Sequence, residues 1–155
     1  MLPRIGLISD THGLLRPEAE QFLRGCHHIV HAGDIGAPEI LERLAALAPL
    51  TAVRGNNDMA PWAAALPDAQ SVTAAGVSIF VLHDLKDLPL HPPPAATQVI
   101  VCGHSHRAAV VRRPSGVLVV NPGSAGPRRF KLAVTAAELR VGSDHHCCAR
   151  VVTLL

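Results

Sequence analysis

Seven residues of this chain are of types that bind metal ions and stand in like positions: Asp10, His12, Asp34, Asn56, His83, His104 and His106. Asp10 and His12 follow the apolar run IGLIS, Asp34 follows HIVHAG and Asn56 follows LTAVRG, while His83 ends VSIFVLH and His104 and His106 follow VIVCG. Two carboxylates, an amide oxygen and several imidazoles form a mixed oxygen and nitrogen donor set suited to transition metals. Seven donors exceed what one metal normally uses. Two metals about 3.5–4 Å apart, sharing one carboxylate, would use them all and could clamp the attacking and leaving oxygens of a phosphoryl displacement. Turn and helix capping explains an isolated Asp or Asn after a strand, but it does not require the histidines.

The positions gain meaning from the elements that precede them. Short β-type runs at Arg4 to Ser9, His28 to Ala32 and Leu50 to Arg54 alternate with helical segments at Pro17 to Arg24 and Ala37 to Ala48, the pattern of a βαβ sheet. The second helix is the clearest, with Pro38 near its start and Ile40, Leu41, Leu44 and Leu47 at helical spacing. Beyond it the chain turns β-rich, with runs at Gln70 to Thr73, Val77 to His83, Gln98 to Cys102, Ala108 to Arg112, Val117 to Asn121, Lys131 to Thr135, Glu138 to Val141 and Ala149 to Thr153. Pro114-Ser115-Gly116 reads as a hairpin turn, and the proline-rich stretch Leu88 to Ala96 as a connecting loop. In open α/β sheets ligands bind beyond the carboxyl ends of strands, so these positions converge on one crevice. Gly33, Gly55 and Gly103 each precede a ligand candidate, where a tight turn benefits from the missing Cβ.

Composition bounds the alternatives. With 155 residues, 48% hydrophobic and 17% charged, the chain reads as one domain, 1–155, with a substantial core. A formal charge of +2 gives no basic stripe, so stable nucleic-acid binding is not expected. No apolar run reaches the roughly 20 residues that span a bilayer, and the start MLPRIGLISDTHG lacks a signal-peptide pattern, so the expectation is a cytoplasmic protein without membrane association. Four cysteines among 155 residues read as reduced thiols rather than a disulfide framework.

SDTHG at Ser9 to Gly13, HAGD at His31 to Asp34, RGNND at Arg54 to Asp58, Leu82-His83, CGHSH at Cys102 to His106 and NPGS at Asn121 to Ser124 together resemble the calcineurin-like metallophosphoesterases, most closely the small YfcE-type phosphodiesterases. The resemblance covers about the first 125 residues. It implies a four-layer αββα sandwich of two mixed β-sheets flanked by helices. It further implies that Asp10, His12 and His106 bind one divalent metal, that Asn56, His83 and His104 bind the other, and that Asp34 bridges them. The activity implied is phosphodiester hydrolysis by a metal-bridging hydroxide, with Mn²⁺ the usual metal and Ni²⁺, Co²⁺, Zn²⁺ or Fe able to replace it. A small phosphate ester would be the substrate, and a homodimer or homotetramer is the expected assembly.

Two departures matter. Many relatives carry a histidine after the ligand asparagine, suited to the leaving group, where this chain has Asn57. Asn57 is retained as a catalytic and substrate-binding candidate that donates hydrogen bonds but delivers no proton, which implies a preference for good leaving groups such as aryl phosphodiesters. Asp84 stands where the family usually has Gly, and is read as facing solvent, or else as accepting from a ligand imidazole.

Other residues receive quieter readings. Arg54 is a substrate-phosphate candidate against the alternative of a surface charge. Asp58 is read as capping the next helix, with support of the site as the alternative. His31 supports its turn, Arg128 and Arg129 are read as lying in a solvated loop against the alternative of a substrate rim, and the run Asp144 to Cys148 is read as structural or fortuitous rather than a zinc site. The reading opposed to an enzyme is a metal-binding interaction scaffold of the same fold, as in the retromer subunit; here all seven ligand positions are filled.

Overall fold

The computed structural model describes residues 2–155. The strands are β1 (Arg4–Ile8), β2 (His28–His31), β3 (Leu50–Ala52), β4 (Ala69–Ala74), β5 (Val77–Leu82), β6 (Val99–Val101), β7 (Ala109–Arg112), β8 (Leu118–Asn121), β9 (Thr135–Val141) and β10 (Cys147–Thr153). Helix α1 spans Pro17–Leu23 and α2 spans Pro38–Ala45, each with proline in its first turn, where the missing N–H has no partner to lose.

These strands form two five-stranded mixed sheets, ordered β10-β9-β1-β2-β3 and β4-β5-β6-β8-β7. In the first, β1, β2 and β3 run parallel and β9 pairs antiparallel with both β1 and β10. In the second, β5, β6 and β8 run parallel, with β4 and β7 antiparallel at the edges. The parallel strands are covered on both faces, which is why they read as nearly continuous apolar runs. Ile5, Leu7 and Val30 of the first sheet meet Ile79, Val81 and Val101 of the second in the core between them.

On the outer face of the first sheet, Ile8 and Ile29 pack with Ala19 and Leu23 of α1 and with Ile40 and Leu44 of α2. The outer face of the second carries Phe80, Leu82, Ile100 and Val119. Leu85 and Leu88, at a 3₁₀ turn over Leu85–Asp87, cover it. The layered α/β fold is as expected, its fourth layer thinned to that turn.

Several element boundaries differ from the sequence reading, two of them by more than fraying at an end. Helix α2 stops at Ala45 rather than Ala48, because Pro49 disfavours helical geometry in the residue before it. The run Lys131 to Thr135 is not a strand: residues 131–134 are turn and loop, and only Thr135 joins the Glu138 to Val141 run in the strand β9. Its alanines Ala136 and Ala137 have weak strand preference, but pairing on both sides and full burial override it.

Candidate metal centre

The seven ligand candidates all lie just beyond carboxyl ends of parallel strands: Asp10 and His12 after β1, Asp34 after β2, Asn56 after β3, His83 after β5, and His104 and His106 after β6. Backbone bonds lace these loops together. Asp10 N donates to Gly33 O at 3.0 Å, His12 N to Asp34 O at 2.9 Å and Gly103 N to His83 O at 2.9 Å. His104 N crosses between the sheets to Asp10 Oδ2 at 3.1 Å.

The loops hold strained backbone. Asp10, His12, Asp34, His104 and His106 have φ of 54°, 46°, 56°, 71° and 63°, a left-handed region that non-glycine residues seldom enter. Such strain persists only where the surroundings over-determine it, and it clusters at functional sites. The preceding glycines act through close approach as well as turning. A Cβ on Gly103 would fall onto Ser9 Oγ and lie 2.6 Å from Asp10 Oδ2, and one on Gly55 would collide with the Asp34 backbone and carboxylate. Neither Gly55 nor Gly103 has a positive φ, so the turn argument holds only at Gly33.

Two groups of donors result. In the first, His12 Nε2, His106 Nε2 and Asp10 Oδ1 stand 3.3–3.6 Å apart. That is close to the separation of ligand atoms around a cation held at roughly 2.1 Å. In the second, His83 Nε2 lies 3.2 Å from Asp34 Oδ2 and 3.9 Å from Asp10 Oδ1. His104 Nδ1 and Asn56 Oδ1 face each other at 3.1 Å beside it. Asp34 Oδ2 is also 3.8 Å from His12 Nε2, which puts this carboxylate between the groups. Asp10 borders both as well, a position that the resemblance reserved for Asp34.

The donor set fits metal ions. Asp10 Oδ1 and His83 Nε2 are buried polar atoms without a hydrogen-bond partner, and both face this centre. An orphaned buried polar atom costs about 1–3 kcal/mol unless something compensates it. The remaining atoms of the same residues are satisfied: Asp10 Oδ2 accepts from Ser9 Oγ at 2.6 Å, and the Ala32 carbonyl lies 2.8 Å from His83 Nδ1. A carbonyl accepts only, so His83 carries its proton on Nδ1 and presents Nε2 to the site.

The electrostatics follow from crowding acids and imidazoles together. Burial opposes ionisation of Asp34, but the His83 imidazole, the Asn57 N–H and the charge of His12 outweigh it and hold the carboxyl down at about 2. Burial likewise disfavours imidazolium at His83, yet Asp34, Asp10 and the Ala32 carbonyl raise its pKa on balance. His106 is lowered, chiefly by burial, with Asp10 opposing.

Several neighbours behave differently from their sequence readings. Asp58 does not cap a helix: its Oδ2 accepts from Ile35 N at 3.1 Å and Gly55 N at 2.9 Å, and its Oδ1 from Gly36 N at 3.1 Å, tying two ligand loops together. Asn57 turns inward, its backbone N–H 2.8 Å from Asp34 Oδ1 and its Nδ2 3.1 Å from Asp34 Oδ2. Asp84 is half-buried, with Oδ1 accepting from Lys86 N and Oδ2 3.6 Å from His104 Nε2. Arg54 lies on the wall of the adjoining groove, with Nε and Nη2 on Asp68 Oδ1 at 3.0 and 2.8 Å.

His31 is fully buried and supports its turn, its Nδ1 accepting from Gly33 N at 3.1 Å while Nε2 meets Thr11 Oγ1 at 3.0 Å. Arg128 and Arg129 are exposed, and the His145 to Cys148 run joins neither donor group. Met59 and Leu90, neither of them given a functional reading from sequence, also line the groove; Met59 follows the Asn56 loop closely, whereas no local signal points to Leu90.

Comparison with known proteins gives a consistent picture. The calcineurin-like phosphoesterase superfamily domain matches residues 4–144. The chain is 31% identical over 132 residues to a probable metallophosphoesterase of Methanothermobacter thermautotrophicus, covering 77% of this chain and 76% of that one. Its structure is similar to that of YfcE, a phosphoesterase from E. coli, with TM-score 0.64 and 23% identity across 98% of this chain and 100% of that one. It is also similar to vacuolar protein sorting 29 from Cryptosporidium parvum, with TM-score 0.75 and 17% identity across 97% of each. At these identities the two structural likenesses concern the fold.

Proposed function

The chain belongs to the calcineurin-like phosphoesterase superfamily, and from that premise we propose that it is a phosphodiesterase that works with two divalent metal ions, Mn²⁺ foremost. The observation that carries this reading is the pair of donor groups that meet around Asp34 and Asp10 at strained strand ends, with Asp10 Oδ1 and His83 Nε2 buried and unpartnered among them. His12, His106 and Asp10 would hold one cation; His83, Asn56 and His104 would hold the other, with Asp34 between them. Bound there, the pair supplies Lewis acidity toward phosphate and lowers the pKa of water enough for attack at neutral pH.

The protein's own contribution is orientation. Ser9 and the His104 N–H occupy one oxygen of Asp10 and leave the other for the site. Asn57 donates to both oxygens of Asp34, its backbone N–H to Oδ1 and its Nδ2 to Oδ2, so position 57 steadies a ligand and has no proton to give a departing alcohol. Good leaving groups, such as aryl alcohols, suit such a site. The Arg54 guanidinium, paired with Asp68 on the groove wall, is placed to meet substrate only at its remaining N–H groups.

A scaffold without turnover shares this fold, but the complete donor set favours the enzyme. Chelator-stripped protein, titrated with Mn²⁺ against bis-p-nitrophenyl phosphate, tests the reading, with His104→Ala as control. Saturable activity that collapses in the variant is expected. Tight metal binding without turnover of diesters or monoesters would replace the enzyme reading with the scaffold.

A further inference from the structure

A groove of about 720 Å³ adjoins the centre on the side of Asn56, His83 and His104. Its other walls carry side chains that metal binding does not use. Met59 and Leu90 are 88% and 75% exposed there, an unusual outlay of apolar surface beside a polar centre. Asp68, Asp84 and Asp87 face one cation, Arg54, and Arg54 is already spent on Asp68. Asp58 also borders the groove, but its oxygens are taken by three backbone N–H groups. Asp87, with Asp84 shared between Lys86 N and His104 Nε2, is left to give the groove a negative field beside apolar walls.

We propose that this groove takes one organic arm of a phosphodiester and selects an uncharged or cationic arm over an anionic one. The inference rests on the phosphoesterase reading above and names its substrate class. A diester has a single negative charge at phosphorus, which the metal centre attracts. Further negative charge on the arm would lie beside Asp87 and Asp84, where like charges repel. A cationic arm gains from the same two carboxylates, and its carbon stem matches Met59 and Leu90, the methionine adapting its shape to the arm. Across His104 a second groove of about 490 Å³ has the opposite character, with Lys86, Arg107 and Arg113 in its lining. It is the competing place for an anionic arm.

Three p-nitrophenyl diesters test the assignment, sharing the leaving group and differing in the second arm: ethyl, 2-(trimethylammonio)ethyl or 2-carboxyethyl. With Mn²⁺-loaded protein at low ionic strength, kcat/KM for the cationic arm is expected about tenfold above the anionic, with ethyl between. Asp87→Lys should erase or invert the order, and about 0.5 M salt should flatten it. Calorimetric binding of methylphosphonate monoesters with the same three arms reads that order without turnover.

Equal values for the three arms in both measurements would overturn the groove assignment and leave the phosphoesterase reading standing. The binding order without hydrolysis of any diester would overturn that reading and keep the groove assignment. An anionic preference abolished by Arg107→Glu would place recognition in the groove across His104 and overturn the proposal.

Discussion

Ser9 Oγ donates a 2.6 Å hydrogen bond to Asp10 Oδ2, and this contact leaves Asp10 Oδ1 as the buried, unpartnered oxygen of the centre. A partner that saturates one carboxylate oxygen fixes the direction of the other, and such orienting contacts are worth about 10–100-fold in metal affinity. Ser9→Ala is therefore expected to weaken Mn²⁺ binding about tenfold while changing folding stability by only about 1 kcal/mol. Competition against a fluorescent chelator measures the affinity. Unchanged binding would mean that the His104 N–H alone orients Asp10.

Asp58 makes a second prediction because its carboxylate, 2% exposed, satisfies three backbone N–H groups from the Asp34 and Asn56 loops. Asp58→Ala strands these donors and should destabilise the fold by about 3 kcal/mol or more, with metal affinity falling too. Asp58→Asn, which keeps one acceptor oxygen, should lose less. Urea unfolding ranks the three proteins, and an alanine variant as stable as wild type would refute the assignment.

Stability against pH provides a third test, in chelator-treated protein. His31 falls from its ordinary 6.5 to about 3, chiefly through burial and secondarily through the charge of His83, so the unfolded chain binds its proton more readily. Stability is then lost as pH drops below 6.5 toward 3. Asp34, held at about 2 against 3.8, acts in the same direction over a lower window. His83, raised, acts oppositely and loses its contribution as pH rises through its folded pKa. Unfolding curves across pH should slope less steeply between 6.5 and 3 in His31→Gln than in wild type. Parallel curves would show that His31 is not the group titrating.

Asn57 sets the leaving-group prediction. Because its amide is engaged with Asp34, alkyl phosphodiesters should turn over far more slowly than aryl ones, by about 100-fold or more. Asn57→His should raise kcat on alkyl diesters about tenfold or more and change aryl turnover little. Equal rates on the two substrate classes in the unmodified enzyme would remove the argument.

By itself the sequence determined which residues meet. Each ligand candidate follows an apolar strand directly, and because parallel strands present their carboxyl ends at one edge, local pattern alone brought Asp10, Asp34, Asn56, His83 and His104 together. Interactions between residues distant in the chain decided the rest. Asp58 looked like a cap because capping is local, and it became a tie between loops only once Ile35 and Gly36 were brought to it. Asn57 turned toward Asp34 for the same reason. Strand β9 formed through two alanines whose local preference is poor, because β1 and β10 supplied partners on either side. The charge of the groove depended on Arg54 pairing with Asp68 from another loop, which leaves Asp87 without that cation. Strand and turn preferences act over a few residues and can be read in order, whereas hydrogen-bond satisfaction and burial are settled only when the two sheets pack.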